Sequence, residues 1–135
     1  EGMSAAEVSE MLYKRSGLLG LSGISNDMRE LEASDDPRAA EAVAYFTFRI
    51  RREIGAMAAA MEGLDGIVFT GGIGENSARI RREVCAPLGW LGVTLDADAN
   101  DGNARRVDAG GRVAVLVVPT DEERVIARAA MAALG

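Results

Sequence analysis

Apolar residues recur at intervals of three and four through the first half of the chain, and gather into short unbroken runs in the second half. After Asp36-Pro37, the residues Val43, Phe46, Ile50, Ile54, Met57 and Met61 follow one another at spacings of 3, 4, 4, 3 and 4, which is one face of a helix. Asp36 is a capping acid and Pro37 suits the first helical position. The spacing therefore predicts a helix of about 26 residues ending near Glu62-Gly63, about 39 Å long at about 1.5 Å per residue. Arg49, Arg51, Arg52 and Glu53 fall on or beside its opposite face, and the Met57–Met61 stripe reads as core. Upstream, Ser4-Ala5-Ala6-Glu7 has capping-box spacing, and Val8, Met11 and Leu12 line one helical face behind it. Lys14 and Arg15 close that helix, with Gly17 placed for a left-handed C′ residue. Leu18-Leu19-Gly20-Leu21 reads as a buried, glycine-broken connection. Ser22, Ser25, Asn26 and Asp27 cluster as turn and cap residues before a short helical turn over 28–32.

The pattern changes at Gly66. Ile67-Val68-Phe69-Thr70 is a short β-branched and aromatic run bounded by glycines, the signature of a buried strand. Gly71-Gly72-Ile73-Gly74 breaks it, Asn76 or Ser77 caps a helix to about Ala86, and Pro87 closes that helix. A second strand is expected over Leu91–Leu95, with Trp90 in the core, then a loop from Asp96 to Gly111. Val113 to Val118 make the most strand-like run in the chain. Thr120-Asp121-Glu122-Glu123 repeats the capping-box spacing, with Thr120 as N-cap of a last helix reaching about Leu134. Helices followed by strand–helix–strand–strand–helix predict an α/β fold, a small, mostly parallel sheet with covering helices. All three strands look buried on both faces, so their neighbouring strands are expected to be missing from this chain. The expected division is a helical part over 1–63 and the strand-bearing part over 64–135.

The chain has 135 residues, the length of one ordinary domain, and its 48% hydrophobic and 27% charged residues suit a soluble globular protein. Fifteen basic residues against 21 acidic ones leave a net charge of −6, and aromatics are only 4%. Both facts argue against nucleic-acid partners, which need phosphate neutralisation and stacking surfaces. There is no histidine, which removes the commonest general base, the commonest zinc ligand and every Ser-His-Asp triad. The single cysteine, Cys85, allows no internal disulfide and reads as a small buried hydrophobe. No apolar run approaches the ~20 residues a membrane span requires, and no leader pattern opens the chain. The expected compartment is the cytoplasm, with no membrane partner.

Three segments offer chemistry. The first is Thr70-Gly71-Gly72-Ile73-Gly74-Glu75-Asn76-Ser77, where a strand empties into glycines and a helix begins. Glycines admit a ligand close to the backbone, and a helix start offers free N–H groups to phosphate. Arg79, Arg81 and Arg82 add positive charge nearby. No Gly-Lys-Ser/Thr follows, so this is not a Walker loop. Against the dinucleotide fingerprint it gives Gly72-x-Gly74-x-x-Ser77, with Asp96 about 20 residues on as a candidate ribose acid. The second segment is Pro119-Thr120-Asp121-Glu122-Glu123, whose acids suit Mg²⁺ or simply a helix cap. The third is Ser22-Gly23-Ile24-Ser25-Asn26-Asp27-Met28-Arg29, where Asn26 and Asp27 suit a base or ribose and Arg29 a base or phosphate, or which simply caps a short helix in a polar loop. Asp98, Asn100, Asp101 and Gly102 read as a solvated turn.

Taken together, these segments resemble the C-terminal part of the acetate kinases. The resemblance rests on Gly17-Leu18-Leu19-Gly20 with Ser25-Asn26-Asp27-Met28-Arg29, then Phe69 to Ser77, then Pro119 to Glu123, in register over essentially the whole chain. It implies a portion of a ribonuclease-H-like domain of the actin-like ATPase fold, and an enzyme that passes the γ-phosphoryl of ATP to acetate with Mg²⁺. It implies a homodimer when full length. Asp27, Met28 and Arg29 match the family's adenosine-contact segment. Gly72, Ile73, Gly74, Glu75 and Asn76 match its second nucleotide loop, and Glu122 its magnesium-associated glutamate. The family's acetate pocket, catalytic aspartate and transition-state histidine and arginines belong upstream, so this chain is expected to be a fragment, inactive alone, with no catalytic residue of its own. Alternatives are a propionate kinase, an oxidoreductase domain binding a dinucleotide through Gly72, Gly74 and Asp96, and a non-catalytic interaction module with exposed sheet edges.

Overall fold

The computed structural model describes residues 2–134, with Glu122 and Leu134 described through their backbone alone. The chain divides into two units, Glu1–Ala60 and Met61–Gly135.

In the first unit, α1 (Ala5–Lys14) starts with the reciprocal cap its sequence predicts: the Glu7 amide donates to Ser4 Oγ at 3.3 Å and the Ser4 amide to Glu7 Oε2 at 2.7 Å. Its Val8–Met11–Leu12 face is present but exposed, and no residue of α1 is buried. Gly17 takes φ +63 and, instead of ending in a loop, the chain turns straight into α2 (Gly17–Ser22). The expected connection at Leu18–Leu21 is therefore a helix. Gly20 fits within it because a Cβ there would sit 3.0 Å from the Arg15 carbonyl oxygen. Ser22 ends the helix, its hydroxyl donating to Leu18 O at 2.8 Å and accepting from Ile24 N at 3.0 Å. Then come α3 (Met28–Ala33) and α4 (Pro37–Ala60), the latter 24 residues long. The long helix buries Ala39, Ala42, Val43 and Thr47 near its start, where α2 and α3 pack against it. Burial fades along the predicted stripe: Phe46, Ile50 and Ile54 are half-buried, whereas Met57 and Met61 are 53% and 60% exposed. The expectation that the two methionines are core residues is thus corrected.

In the second unit, β1 (Gly66–Phe69) pairs in parallel with β2 (Ala114–Val117), in the register Gly66↔Ala114 through Phe69↔Val117. Ile67, Phe69, Val115 and Val117 are buried, but Val68 on the other face is 55% exposed. β1 is thus covered on one face, not both, while Ala114 and Leu116 on the outer face of β2 are half-buried. Behind them, α5 (Gly71–Asn76) leads into α6 (Ala78–Cys85), which Ser77 caps by accepting from Ile80 N at 3.0 Å. Pro87 opens a 3₁₀ helix over Ala86–Leu91. Residues three apart share a face of such a helix, so Leu88 and Leu91 turn inward together and Trp90 is left 72% exposed. Trp90 is not a core residue. Gly92, at φ +89, ends this helix where a second strand was expected, and only Val93 and Leu95 form single bridges, to Val113 and Asp108. The expected loop over 96–111 contains α7 (Ala97–Asp101), which Asp96 caps by accepting from Ala99 N at 2.9 Å. It also contains an extended stretch on the free edge of β2, where Val107 N donates to Val115 O and Val117 N to Arg105 O, both at 2.9 Å. Last, α8 (Glu122–Leu134) is capped by Asp121, which accepts from Arg124 N at 2.9 Å, and not by Thr120. Among the described residues no helix is long and apolar enough to cross a membrane.

Asp108 completes the β2 edge with a side chain. Its carboxylate accepts from Val115 N at 3.0 Å, Gly110 N at 3.1 Å and Arg106 Nε at 2.9 Å. The Arg106 guanidinium first, then the Val115 and Gly110 amides, hold its pKa down at about 2. A carboxylate depressed in the fold stabilises it above the unfolded value near 3.9, and that contribution fades as pH falls towards the folded value. Asp108→Asn is therefore expected to lower the melting temperature at pH 7 and to flatten its fall between about pH 4 and pH 2. Melting curves across that range check this, and parallel acid limbs would refute it.

Candidate functional site

The carboxyl ends of β1 and β2 lie side by side, with Val118 N donating to Phe69 O at 2.9 Å just past the ladder. In α/β sheets this end is where ligands bind. Two segments leave from it, the glycine turn after β1 and Pro119–Glu123 after β2.

The glycine turn is not an open loop. Thr70 is extended, and 71–76 close into the short helix α5. Its three glycines have three separate causes. Gly71 sits at φ +71, a backbone region that side chains disfavour. Gly74 lies against β1, where a Cβ would stand 3.3 Å from the Phe69 carbonyl carbon. Gly72 has neither constraint: its φ is not positive and a Cβ would meet nothing within 4 Å. Ile73 is half-buried. Asn76 is exposed and donates through Nδ2 to Gly72 O at 2.8 Å.

Glu75 and Arg81 hold this turn from two sides. Glu75 Oε1 accepts from Gly71 N at 2.8 Å, from Thr120 N at 2.8 Å and from Thr120 Oγ1 at 3.0 Å. The Thr120 amide and hydroxyl, then the Gly71 amide, keep its carboxyl below the ordinary carboxylate range. The first amide of α5 is thereby taken, which removes one of the N–H groups the sequence offered to a phosphate. Arg81 is 0% exposed. Its Nη1 donates to Gly74 O and Glu75 O, each at 2.9 Å, its Nε to Asn100 Oδ1 at 2.8 Å, and its Nη2 to Asn100 O at 2.7 Å and to Asn103 Oδ1. Burial lowers its pKa, while the Cys85 thiol and Asp101 act the other way.

The expected cluster of free positive charge is thus revised. Arg81 is buried among neutral acceptors, Arg79 pairs with Glu83 at 2.8 Å, and Arg82 pairs with Asp101. Asn100, read as part of a solvated turn, is 0% exposed, and its Nδ2 donates to Ala78 O at 2.9 Å. Cys85 is buried as expected, its thiol pushed up to about 11 by that burial, so it stays protonated and inert. Asp96 spends its side chain capping α7 and stands at the end of no strand, so the dinucleotide arrangement is not formed.

Glu122 is the first residue of α8, and its side chain lies outside the described residues. Asp121 and Glu123 beside it are exposed. Mg²⁺ takes one or two carboxylates together with phosphate oxygens and water, so the donor chemistry of this segment fits it. Among the described residues no group of three or more acids or thiols is gathered around a common point.

In the first unit, Asp27 caps α3, accepting from Arg29 N at 2.9 Å, and forks onto the Arg29 guanidinium through Nε at 3.0 Å. The Arg29 side chain and then its amide hold the Asp27 pKa down at about 2. Asp36 and Arg38 make the same fork at the start of α4, with the Arg38 amide at 2.8 Å, so the device is a helix cap in both places. It leaves the Arg29 side chain forked onto Asp27 and exposed. Met28 between them is 4% exposed, so it packs into the core of this unit and presents almost no surface. Asp27, Met28 and Arg29 lie in one unit, and Gly72 to Asn76 with Glu122 in the other.

Two features escaped the sequence reading. The Glu75–Thr120 link joins residues 45 apart and leaves no local signal. Arg81 does leave one: it lies one turn before Cys85 on the apolar side of α6, beside Ile80 and Val84.

Comparison with known proteins agrees with the motif register. Residues 1–128 match the model of the acetokinase family. The chain is 54% identical to the acetate kinase of Methylocella silvestris over 133 residues, 98% of this chain and 33% of that protein. It is 55% identical to the acetate kinase of Rhodopseudomonas palustris over 131 residues, 95% of this chain and 33% of that protein. The crystal structure of Porphyromonas gingivalis acetate kinase aligns with a TM-score of 0.86 at 41% identity, over 99% of this chain and 35% of that one. A propionate kinase from Francisella tularensis aligns at 0.81 and 37% identity, over 90% of this chain and 32% of that one. The chain spans about a third of the length of the curated relatives it matches.

Proposed function

Because the chain belongs to the acetokinase family, we propose that it is the adenosine-side and magnesium-side portion of an acetate kinase, an enzyme passing the γ-phosphoryl of ATP to acetate to give ADP and acetyl phosphate. The observation that carries this reading is Gly72, a glycine at the carboxyl ends of two parallel strands that neither φ nor packing requires. A backbone left bare beside open space suits the close approach of a nucleotide. We assign Gly72, Ile73, Gly74, Glu75 and Asn76 of the second unit to nucleotide contact and, within the first unit taken by itself, Asp27, Met28 and Arg29 to adenosine contact, with the Arg29 guanidinium forked onto Asp27. Phosphoryl transfer depends mainly on positioning and charge stabilisation, and bound Mg²⁺ supplies part of the latter by neutralising phosphate oxygens. Glu122 would hold it. None of these residues contacts the acyl group, so acetate and propionate are not told apart here, in keeping with the likeness to both kinds of kinase. We place the enzyme in the cytoplasm as a homodimer when full length.

Titration of the chain with Mg·ADP by calorimetry, with NAD as control, tests the reading. Saturable heat with Mg·ADP alone is expected, and heat with NAD alone would overturn it. The chain by itself is expected to form no acetyl phosphate from ATP and acetate, since it holds none of the acetate-side groups. A hydroxamate assay on protein free of host kinase checks this, and sustained product formation would show that it contains more of the machinery than its residues suggest.

A further inference from the structure

Glu75 lies within the segment that resembles a nucleotide loop, yet its carboxylate is turned towards the protein. An ionised carboxylate only accepts hydrogen bonds. Glu75 Oε1 already accepts three, from Gly71 N, Thr120 N and Thr120 Oγ1, at 2.8, 2.8 and 3.0 Å. One donor belongs to the glycine turn after β1, and the other two to the residue that precedes the α8 cap. Below the link the two strands are joined by their ladder, and Val118 N to Phe69 O is the last main-chain bond between them. Beyond that bond the first segment continues into α5 and the second into α8. Arg81 fixes the far end of α5 through Gly74 O and Glu75 O. Among the described residues, the Glu75 carboxylate is what ties its near end across to 120.

We propose that Glu75 is a positioning residue: its carboxylate clamps the glycine turn to the segment that follows β2, so that Gly72 and the start of α8 face a bound nucleotide as one rigid piece. This rests on the nucleotide-site reading above. It assigns Thr120, which no ligand contact requires, an equal part in the affinity for nucleotide.

The test uses the full chain and two readouts. The first needs no ligand: amide hydrogen exchange at Gly71 and Thr120, followed by NMR. Both amides are expected to be slow in the unmodified chain and to speed up together in Glu75→Gln and Thr120→Val. The second is Mg·ADP affinity. Each variant is expected to weaken it about fivefold, the scale of one ordinary hydrogen bond. The double variant should lose little more than the worse single one, and Thr120→Ser, which keeps the hydroxyl, should restore binding. If Glu75→Gln weakens Mg·ADP while the Gly71 and Thr120 amides both stay slow, Glu75 touches the nucleotide itself and the clamp is refuted as its role. Independent, additive losses refute it equally. If the unmodified chain binds no Mg·ADP, the nucleotide reading of this chain fails on its own. The exchange data then decide the clamp, which stands if the two amides respond together and falls if they respond separately.

Discussion

Arg81→Met is expected to cost the second unit about 4 kcal/mol, close to the whole stability of a small domain at the low end of its usual ~5–15. The substitution matches the arginine stem in length and apolar character, so little is lost in packing. What it removes is the donor set. Five hydrogen bonds end on Arg81, and their acceptors are Gly74 O, Glu75 O, Asn100 O, Asn100 Oδ1 and Asn103 Oδ1. Arg81 and Asn100 are both fully buried, so water does not replace the lost donors without opening the structure. Each buried acceptor left bare costs about 1–3 kcal/mol, and relaxation recovers some of the sum. Arg81→Lys should fall between, because an ammonium has three donors and cannot copy the planar fork. Thermal melts followed by circular dichroism decide it. A loss below about 1 kcal/mol for the methionine variant would mean that the pocket hydrates or collapses, and that Arg81 does not hold α5.

The contrast between Arg81 and the helix caps shows where the sequence was legible. Ser4, Asp27, Asp36 and Ser77 each bond an amide two or three residues away, so type and spacing sufficed to read them. The order of motifs was legible for the same reason, since each occupies a handful of consecutive residues. Errors arose where distant partners decide. Leu18–Leu21 reads as a connection because a mid-segment glycine signals a break, whereas Gly20 sits within α2 and admits the Arg15 carbonyl. Met57 and Met61 continue the helical stripe of α4 and Trp90 is large and apolar, but which face is covered depends on elements elsewhere in the chain. Thr120 has the type and spacing of an N-cap, yet its hydroxyl turns to Glu75, and Asp121 caps α8 instead. In the glycine turn the sequence marks the segment but does not tell its glycines apart, for the three look alike until their φ angles and neighbours are known.

That difference among the glycines yields the second large effect, in affinity instead of stability. A side chain at Gly72 enters open space, so Gly72→Ala should leave the melting temperature unchanged or raise it by the gain in helix propensity, up to about 1 kcal/mol. If a nucleotide lies against this backbone, the added methyl fills the place it needs. Mg·ADP affinity should then fall, and Gly72→Leu should lower it more than about tenfold, or about 1.4 kcal/mol. Its neighbours should show the reverse. Gly71→Ala forces a Cβ into the φ +71 region, at about 1–2 kcal/mol in stability. Gly74→Ala pushes α5 off the Phe69 backbone, 3.3 Å away. Calorimetric titration and melting curves on the three alanine variants separate the cases. A Gly72→Leu chain that binds Mg·ADP as tightly as the unmodified one would place the nucleotide elsewhere and remove the observation on which the kinase reading of this unit stands. A Gly72 variant that loses affinity while gaining stability has no structural explanation within the chain, because nothing in the fold touches that Cβ, and so it would point to a ligand as the reason the residue is glycine.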